Sequence, residues 1–185
     1  RADRIPVTLA DLPDRVWRPV LAAEDHRFFE HSGVSGKALA RAALANVKKG
    51  GVAQGGSTIT QQLIKNRDLT AKRSFTRKAS EAVRALALEA EYSKEEILDA
   101  YLDHKYWGHA DGLAIHGIGA AARAWFSKSA ADLNLAEAAA LAAMIQGPNR
   151  LTPDRHAEAL RERRDWILDR MDDLDWADPD GVARA

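Results

Sequence analysis

Two carboxylates of this sequence stand in surroundings that suit acid–base chemistry. Glu24 follows the apolar run Val20–Ala23 and begins a polar segment, Glu24–Gly33, that contains aromatic residues. A glutamate at such a border is expected to be partly buried, and burial makes a carboxylate a better general base. Glu81 lies four residues after Arg77 on a predicted helix, where the two side chains share a face. Catalysis is one interpretation of each carboxylate, and one half of an ordinary ion pair is the alternative for Glu81.

Basic residues are concentrated between Lys65 and Lys78, where six of them accompany a single acid, Asp68. A glycine-rich stretch, Gly50–Gly56, precedes this segment and leads into a predicted helix start at Ser57-Thr58. The N–H groups of a helix start and the side chains of Arg and Lys both bind phosphate oxygens, so the pattern indicates a phosphate or pyrophosphate site. A solvated helix face is the alternative. The loop lacks the Gly-Lys-Ser/Thr ending of a P-loop.

The composition is that of a globular chain of one domain. The chain has 185 residues and 20.3 kDa, with 46% hydrophobic and 29% charged residues. Basic and acidic residues number 27 each, a balance that argues against a generally basic nucleic-acid-binding protein. Without cysteine, a disulfide framework, a thiolate metal site and a cysteine nucleophile are all excluded. No apolar run approaches the length of a membrane span.

Apolar residues recur mostly at steps of three and four, which predicts a mainly α-helical fold. Ser93 with Glu96, and Asn134 with Glu137, have the spacing of capping boxes. We expect an irregular segment at Gly108–Gly117 and a tail, Met171–Asp180, that frays. The predicted helices are Asp14–Ala23, Ser35–Lys48, Thr58–Asn66, Arg73–Glu91, Lys94–His104, Gly117–Phe126, Leu135–Ile145 and Asp154–Met171.

Five segments, in order along the chain, resemble the signatures of one enzyme family. The second segment alone, Gly55–Asn66, matches nearly letter for letter. On these segments the chain is similar to the peptidoglycan glycosyltransferases, glycosyltransferase family 51, found in class A penicillin-binding proteins and monofunctional cell-wall glycosyltransferases. The other segments are Glu24-Asp25-x-x-Phe28-x-x-His31-x-Gly33, Arg77–Glu81, Ile97–Leu102 with Tyr106–Gly108 and Gly117–Ala122, and Leu135–Ala139 with Gln146–Asn149.

The resemblance implies a lysozyme-like helical fold with a head lobe and a smaller, membrane-facing jaw lobe. It also implies a single domain over residues 1–185, with the family motifs in about residues 9–171. It implies polymerisation of glycan strands from lipid II by inverting transfer, which forms β-1,4 MurNAc-GlcNAc bonds and releases undecaprenyl pyrophosphate. The expected location is the outer, periplasmic or extracytoplasmic, face of the bacterial cytoplasmic membrane, with the anchor helix absent from this chain. Ala38, Leu39 and the apolar residues 42–44 are candidates for the membrane face, and packing in the core is their alternative.

By the same resemblance, Glu24 is the general base that takes the proton of the acceptor hydroxyl, and Glu81 is a second essential carboxylate near the donor pyrophosphate. Basic side chains would oppose the charge that grows on the leaving group. Gln61 and Gln62 are expected as much to brace the loop as to touch substrate, and a structural histidine is the alternative for His31. The residues expected at the substrate and pyrophosphate site are Asp25, Phe28, His31, Ser57, Thr58, Gln61, Gln62, Lys65, Asn66, Arg73, Arg77 and Lys78.

The expected partners are lipid II, the growing lipid-linked strand and the membrane surface. A transpeptidase domain, or divisome or elongasome proteins, are candidate further partners of the parent protein. No nucleic acid is expected as a partner. No cofactor is required by the resemblance. It allows a divalent cation, Mg²⁺ or Mn²⁺, with Glu81 or Asp25 as its ligand, whereas His104, His109 and His116 lack the spacing of a zinc motif.

The chain departs from the family pattern at three places, and two other functions compete with polymerisation. The mildest departure is Ser127, which stands where the family commonly has Gly. Asp103 stands where the family usually has Asn, and the segment 108–117 is longer than the usual spacing. A lytic glycan-cleaving enzyme on a similar fold needs a catalytic acid but no basic pyrophosphate site. A non-catalytic module that binds lipid II or a divisome protein would not require both Glu24 and Glu81.

Overall fold

The computed structural model describes residues 2–3, 5–36, 57–67 and 75–176, with backbone alone at 2–3, 66–67 and 75–77. The predicted helix Ser35–Lys48, the glycine-rich stretch and residues 38–44 lie wholly or mostly outside the described residues, as does the end of the predicted tail. The described helices are α1 (Asp14–Glu24), α2 (Ile59–Arg67), α3 (Phe75–Glu91), α4 (Lys94–His104), α5 (Ile118–Phe126), α6 (Leu135–Met144) and α7 (Ala157–Asp173).

The predicted mainly α-helical fold is confirmed. Each predicted helix within the described residues is present, with ends that differ by up to three residues. The chain divides into two compact units, the first formed by residues 1–23 and 102–185 and the second by residues 24–101. The single domain and the two lobes inferred from the resemblance stay predictions. Among the described helices, none combines the length and apolar character that crossing a bilayer requires.

Helix α6 forms the centre of the first unit. Nine of its ten residues are buried, because alanine side chains let neighbouring elements approach on every side. The fully buried Trp107 donates its indole N–H to Leu141 O on α6 at 3.0 Å. Helix α7 supplies Leu160, Ile167 and other apolar residues to the same core.

The prediction of an irregular segment at 108–117 is wrong. Strands β2 (Tyr106–Ala110) and β3 (Leu113–His116) form an antiparallel hairpin, and β1 (Ala2–Asp3) pairs with β3 in parallel. Asp111 and Gly112 both have positive φ, 50° and 77°, as a tight two-residue hairpin turn requires. The Asp-Gly pair is a hairpin signal, but the polar residues and the bulge between Tyr106 and His109 obscure the alternation of a strand.

Two predicted helix caps are confirmed. The Asn134 side chain accepts the Glu137 N–H, and the Glu137 carboxylate accepts the Asn134 N–H, each at 2.9 Å. Ser93 and Glu96 make the same reciprocal pair at the start of α4. These bonds satisfy N–H groups that a helix start otherwise leaves to water.

We predict that Asn134→Ala lowers the free energy of unfolding by about 1 kcal/mol, because it removes the acceptor of the Glu137 N–H. Urea denaturation followed by circular dichroism measures the change. Asn134→Asp keeps an acceptor oxygen and is the control, expected to retain most of the stability. Equal losses in the two variants would contradict a capping role.

Candidate functional site

The described site residues predicted from the sequence all lie in the second unit, around the start of α2. Glu24 is the last residue of α1, and Asp25, Phe28 and His31 follow it directly. Ser57 and Thr58 precede α2, Gln61, Gln62 and Lys65 lie on it, and Lys78 and Glu81 lie on α3. Arg73 falls outside the described residues, and the side chains of Asn66 and Arg77 do as well.

Asp25 ties the segment after α1 to the first turn of α2. Its Oδ2 accepts the Ile59 backbone N–H at 3.1 Å, and both carboxylate oxygens lie 3.0–3.1 Å from His31 Nε2. The Asp25 and His31 side chains are 8% and 10% exposed. Phe28 is fully buried, with its ring edge-on to His31 and the Lys94 Nζ 4.3 Å from its ring centre. This geometry gives Asp25, His31 and Phe28 the surroundings of a structural cluster.

Thr58 and Gln61 cap the start of α2. The Thr58 N–H donates to Gln61 Oε1 and the Gln61 N–H donates to Thr58 Oγ1, both at 3.2 Å, the reciprocal pattern of a capping box. The Thr58 hydroxyl also donates to Gly33 O at 2.6 Å. Thr58 and Gln61 are 2% and 4% exposed. Their contacts fit the bracing role that the sequence suggested for Gln61, and the spacing Thr-x-x-Gln signals the box.

Gly33 lets the backbone after the aromatic segment approach α3 closely. Its φ is +78°, and a Cβ at this position would lie 2.7 Å from Ala85 O. Any other residue at this position would be strained by the left-handed backbone conformation, and its Cβ would clash with the α3 backbone. The glycine allows Gly33 O to reach the Thr58 hydroxyl.

The N–H groups at the start of α2 are used by the protein itself. The Ile59 and Gln61 N–H groups, two of the first three, bond to Asp25 and Thr58. This differs from the expectation that free N–H groups there would hold phosphate oxygens, because the sequence does not reveal which side chains fold over them. Side-chain cations must then supply most of the attraction for an anion.

One such cation is Lys78, on α3. Its Nζ donates to Ser57 Oγ at 2.7 Å and lies 3.5 Å from Glu81 Oε2. The Glu81 side chain is 7% exposed, whereas that of Lys78 is 39% exposed and reaches solvent. Lys65 is exposed on α2. Glu81 and Lys78 are thus held beside the residue that leads into α2.

The Gln62 side chain, on α2, holds the Glu24 carboxylate. Its Oε2 accepts the Gln62 Nε2–H at 2.7 Å, and Glu24 Oε1 accepts no hydrogen bond from another described residue. The Tyr101 hydroxyl, on α4, donates to Gln62 Oε1 at 3.1 Å. Tyr101 lies in one of the family segments but is not among the predicted site residues, since a lone tyrosine on a helix looks like a core residue. The arrangement leaves one oxygen of a part-buried carboxylate to accept a proton.

A divalent cation fits poorly at Asp25, because both of its oxygens already bond to His31 or Ile59. Glu81, beside Lys78, is the remaining candidate of the two. No group of three or more His, Asp or Glu side chains in the described part of the chain is arranged to hold a metal ion.

Asp103, where the chain departs from the family pattern, belongs to the first unit, whereas the residues described above belong to the second. Its carboxylate is 3.7 Å from His104 Nδ1, and its backbone oxygen lies where a Cβ on Gly117 would be only 2.9 Å away. Asp103 therefore belongs to the packing before the β-hairpin, as does the longer segment 108–117.

Comparisons with known proteins agree on one family. A family model described as transglycosylase matches residues 1–172. Penicillin-binding protein 1F of Bacillus subtilis is 42% identical over 92% of this chain and 23% of its own length. Penicillin-binding protein 1B of Vibrio cholerae is 43% identical over 92% of this chain and 21% of its own length.

The fold also has a counterpart among solved structures. The crystal structure of penicillin-binding protein 1A from Haemophilus influenzae matches all of this chain with a TM-score of 0.57 and 22% identity, over 17% of that chain. The chain thus spans about a fifth of each of the three proteins. Since the family model covers nearly the whole sequence, the chain belongs to the transglycosylase family, the peptidoglycan glycosyltransferases of glycosyltransferase family 51.

Proposed function

We propose that this chain polymerises peptidoglycan glycan strands from lipid II at the outer face of the bacterial cytoplasmic membrane. The observation that carries the proposal is the Glu24 carboxylate, which Gln62 holds through Oε2 while no other described residue bonds to Oε1. A general base needs this combination of a fixed orientation and an oxygen open to the proton it takes.

In the proposed reaction, Glu24 Oε1 takes the proton of the 4-hydroxyl of the GlcNAc in an incoming lipid II. The hydroxyl oxygen then attacks C1 of the MurNAc at the reducing end of the growing strand. The bond from C1 to the α-linked pyrophosphate breaks, and its electron pair leaves with undecaprenyl pyrophosphate. The new linkage is β-1,4, so the anomeric centre inverts. Glu24 returns its proton to solvent.

Cations near α2 would stabilise the charge that develops on the leaving pyrophosphate. Lys78 is fixed by Ser57 and Glu81, so its charge needs little reorganisation during the reaction. Glu81 would act by holding this cation, or would be a ligand of a divalent ion that would supply positive charge against the leaving group. Lys65 would meet the same group from the exposed face of α2, and we assign Arg73, Arg77 and Asn66 to this site from the resemblance.

The remaining predicted site residues make contacts within the protein, which support a structural task for them. Asp25, Phe28 and His31 would shape the floor of the site, and Thr58, Gln61 and Gln62 would fix α2 relative to Glu24. The membrane surface, lipid II and the lipid-linked strand are the proposed partners. A transpeptidase domain and divisome or elongasome proteins are proposed for the parent protein.

The test of the polymerase is a gel assay with labelled lipid II in detergent and Mg²⁺. We expect a ladder of glycan strands from the native chain and none from Glu24→Gln, which removes the base and keeps the shape. Glu158→Gln, exposed on α7, is the control and should give the native ladder.

Other results of this assay would favour the competing functions. Tight binding of lipid II without a ladder from any variant would favour a non-catalytic module. Shortening of preformed glycan would favour a lytic enzyme and would overturn the proposal.

We predict that Lys78→Met lowers kcat/KM by about 100-fold, because the leaving pyrophosphate loses a fixed cation. Lys128→Met is a matched control. Lys128 is 41% exposed and pairs with Glu137 at 2.6 Å in the first unit, so it resembles Lys78 in exposure and pairing. Initial rates over a range of lipid II concentrations measure both. A similar loss in the two variants would contradict a direct role for Lys78.

We predict that Asp25→Ala lowers the free energy of unfolding by about 2 kcal/mol, because the Ile59 N–H and the part-buried His31 ring lose their hydrogen-bond partner. Asp165→Ala should change stability by less than about 0.5 kcal/mol, since exposed ion pairs contribute little. Asp165, 51% exposed, pairs with Arg164 on α7. Urea denaturation measures both. An Asp25→Ala chain of native stability but without activity would instead favour contact with substrate.

A further inference from the structure

We propose that Tyr101 is a positioning residue that, through Gln62, fixes the orientation of the Glu24 carboxylate for proton transfer. This inference rests on the proposed function, because it assigns Tyr101 a part in the step that Glu24 performs there. Tyr101 itself is not expected to touch the substrate.

Three side chains from three helices form a continuous chain of hydrogen bonds. The Tyr101 hydroxyl on α4 donates to Gln62 Oε1 on α2 at 3.1 Å, and Gln62 Nε2 donates to Glu24 Oε2 at 2.7 Å. Tyr101 is 1% exposed and Gln62 is partly buried, so little water competes for these bonds. The three residues belong to the same compact unit.

The direction of these hydrogen bonds gives the Tyr101 hydroxyl a role beyond packing. An amide presents an acceptor on one side and donors on the other, and the two sides exchange when the amide turns over. Because the Glu24 carboxylate only accepts, it favours the orientation with Nε2 toward Glu24, and the Tyr101 hydroxyl secures that orientation by donating to Oε1 on the other side. The opposite orientation would place an amide oxygen against a carboxylate oxygen, which is repulsive.

Tyr101 remains a donor over the pH range in which the enzyme would work. Burial raises the pKa of the Tyr101 hydroxyl well above its ordinary value, and the charges of Glu24 and Asp25 raise this pKa further. The negative charge of Glu24 therefore helps to keep the Tyr101 hydroxyl protonated, so that it can donate to Gln62.

Loss of the hydroxyl should affect the rate of the chemical step more than the binding of substrate. A carboxylate displaced by about 1 Å can lower the rate about 100-fold. For Tyr101→Phe we expect kcat to fall about 10- to 100-fold. KM should stay within about twofold, because the ring and its packing are unchanged.

The matched control removes another buried hydroxyl of the same unit. Thr60, fully buried on α2, donates its hydroxyl to Glu89 Oε1 at 2.5 Å, a carboxylate that also pairs with Lys94. Thr60→Val loses a hydroxyl bonded to a carboxylate outside the proposed catalytic residues. We expect it to lower the Tm and to leave kcat within about twofold of the native value.

A double variant separates positioning from general packing. If Tyr101 acts through Gln62, the double variant Tyr101→Phe/Gln62→Met should have the kcat of Gln62→Met alone. Multiplied losses, a native kcat in Tyr101→Phe, or an equal loss of kcat in Thr60→Val would each overturn the positioning role.

A spectroscopic measurement tests the chain of bonds without any turnover. In NMR spectra of the native chain, a Gln62 side-chain N–H resonance, identified by its loss in Gln62→Met, should shift in both Tyr101→Phe and Glu24→Gln. No shift in Tyr101→Phe would overturn the inference. Shifts in both variants of a chain that forms no glycan ladder would show that the bonds exist and that the proposed function is what fails.

Discussion

The carboxylate of Asp25 joins the segment after α1 to the first turn of α2, and the arrangement of the second unit depends on that bond. It accepts the Ile59 N–H and contacts the His31 ring. Thr58 makes a second connection through Gly33 O. Helix α2 in turn carries Gln62, which holds Glu24, and follows Ser57, which holds Lys78. A shift of this one helix start would disturb the surroundings of both proposed carboxylates together.

The same bond determines where charge can be accommodated. Asp25 places a negative group at the positive end of the α2 dipole, so the electrostatic attraction of this helix end is already used. A second anion at the same point would be repelled. In the proposed reaction the leaving pyrophosphate is therefore better placed toward Lys78, and the cations that hold it would come from side chains rather than from the backbone.

Much of the fold could be predicted from the sequence because local rules govern helices. The spacing of apolar residues located α1, α4 and α6, and the pairs Ser93–Glu96 and Asn134–Glu137 marked two helix starts. The hairpin at 106–116 was missed because its strands are short and bulged. The Asp111-Gly112 turn signal was therefore not flanked by a clear alternation of apolar and polar residues.

The candidate site was less predictable from the sequence than the fold. Residue types and motifs indicated Glu24, Glu81 and Lys78, but not the partners that orient them. Tyr101 lies 39 residues from Gln62, and Gln62 lies 38 from Glu24. Such contacts depend on how helices pack and on which way an amide faces, and neither is encoded in local spacing. The Thr58–Gln61 capping box, by contrast, was open to prediction from its sequence pattern.

The hairpin has a consequence for how this family domain can vary in length. Its turn residue Gly112 has φ +77° and no neighbouring atom within 4 Å of a built Cβ, so the tip faces open space. Side chains alternate between the two faces of a strand, and the inner face here carries the buried Ile115. Extra residues that enter at the tip as a longer turn leave the pairing of β2 with β3, and hence this packing, unchanged. Natural or engineered insertions at 111–112 should therefore be tolerated, which makes this turn a suitable place to attach a probe.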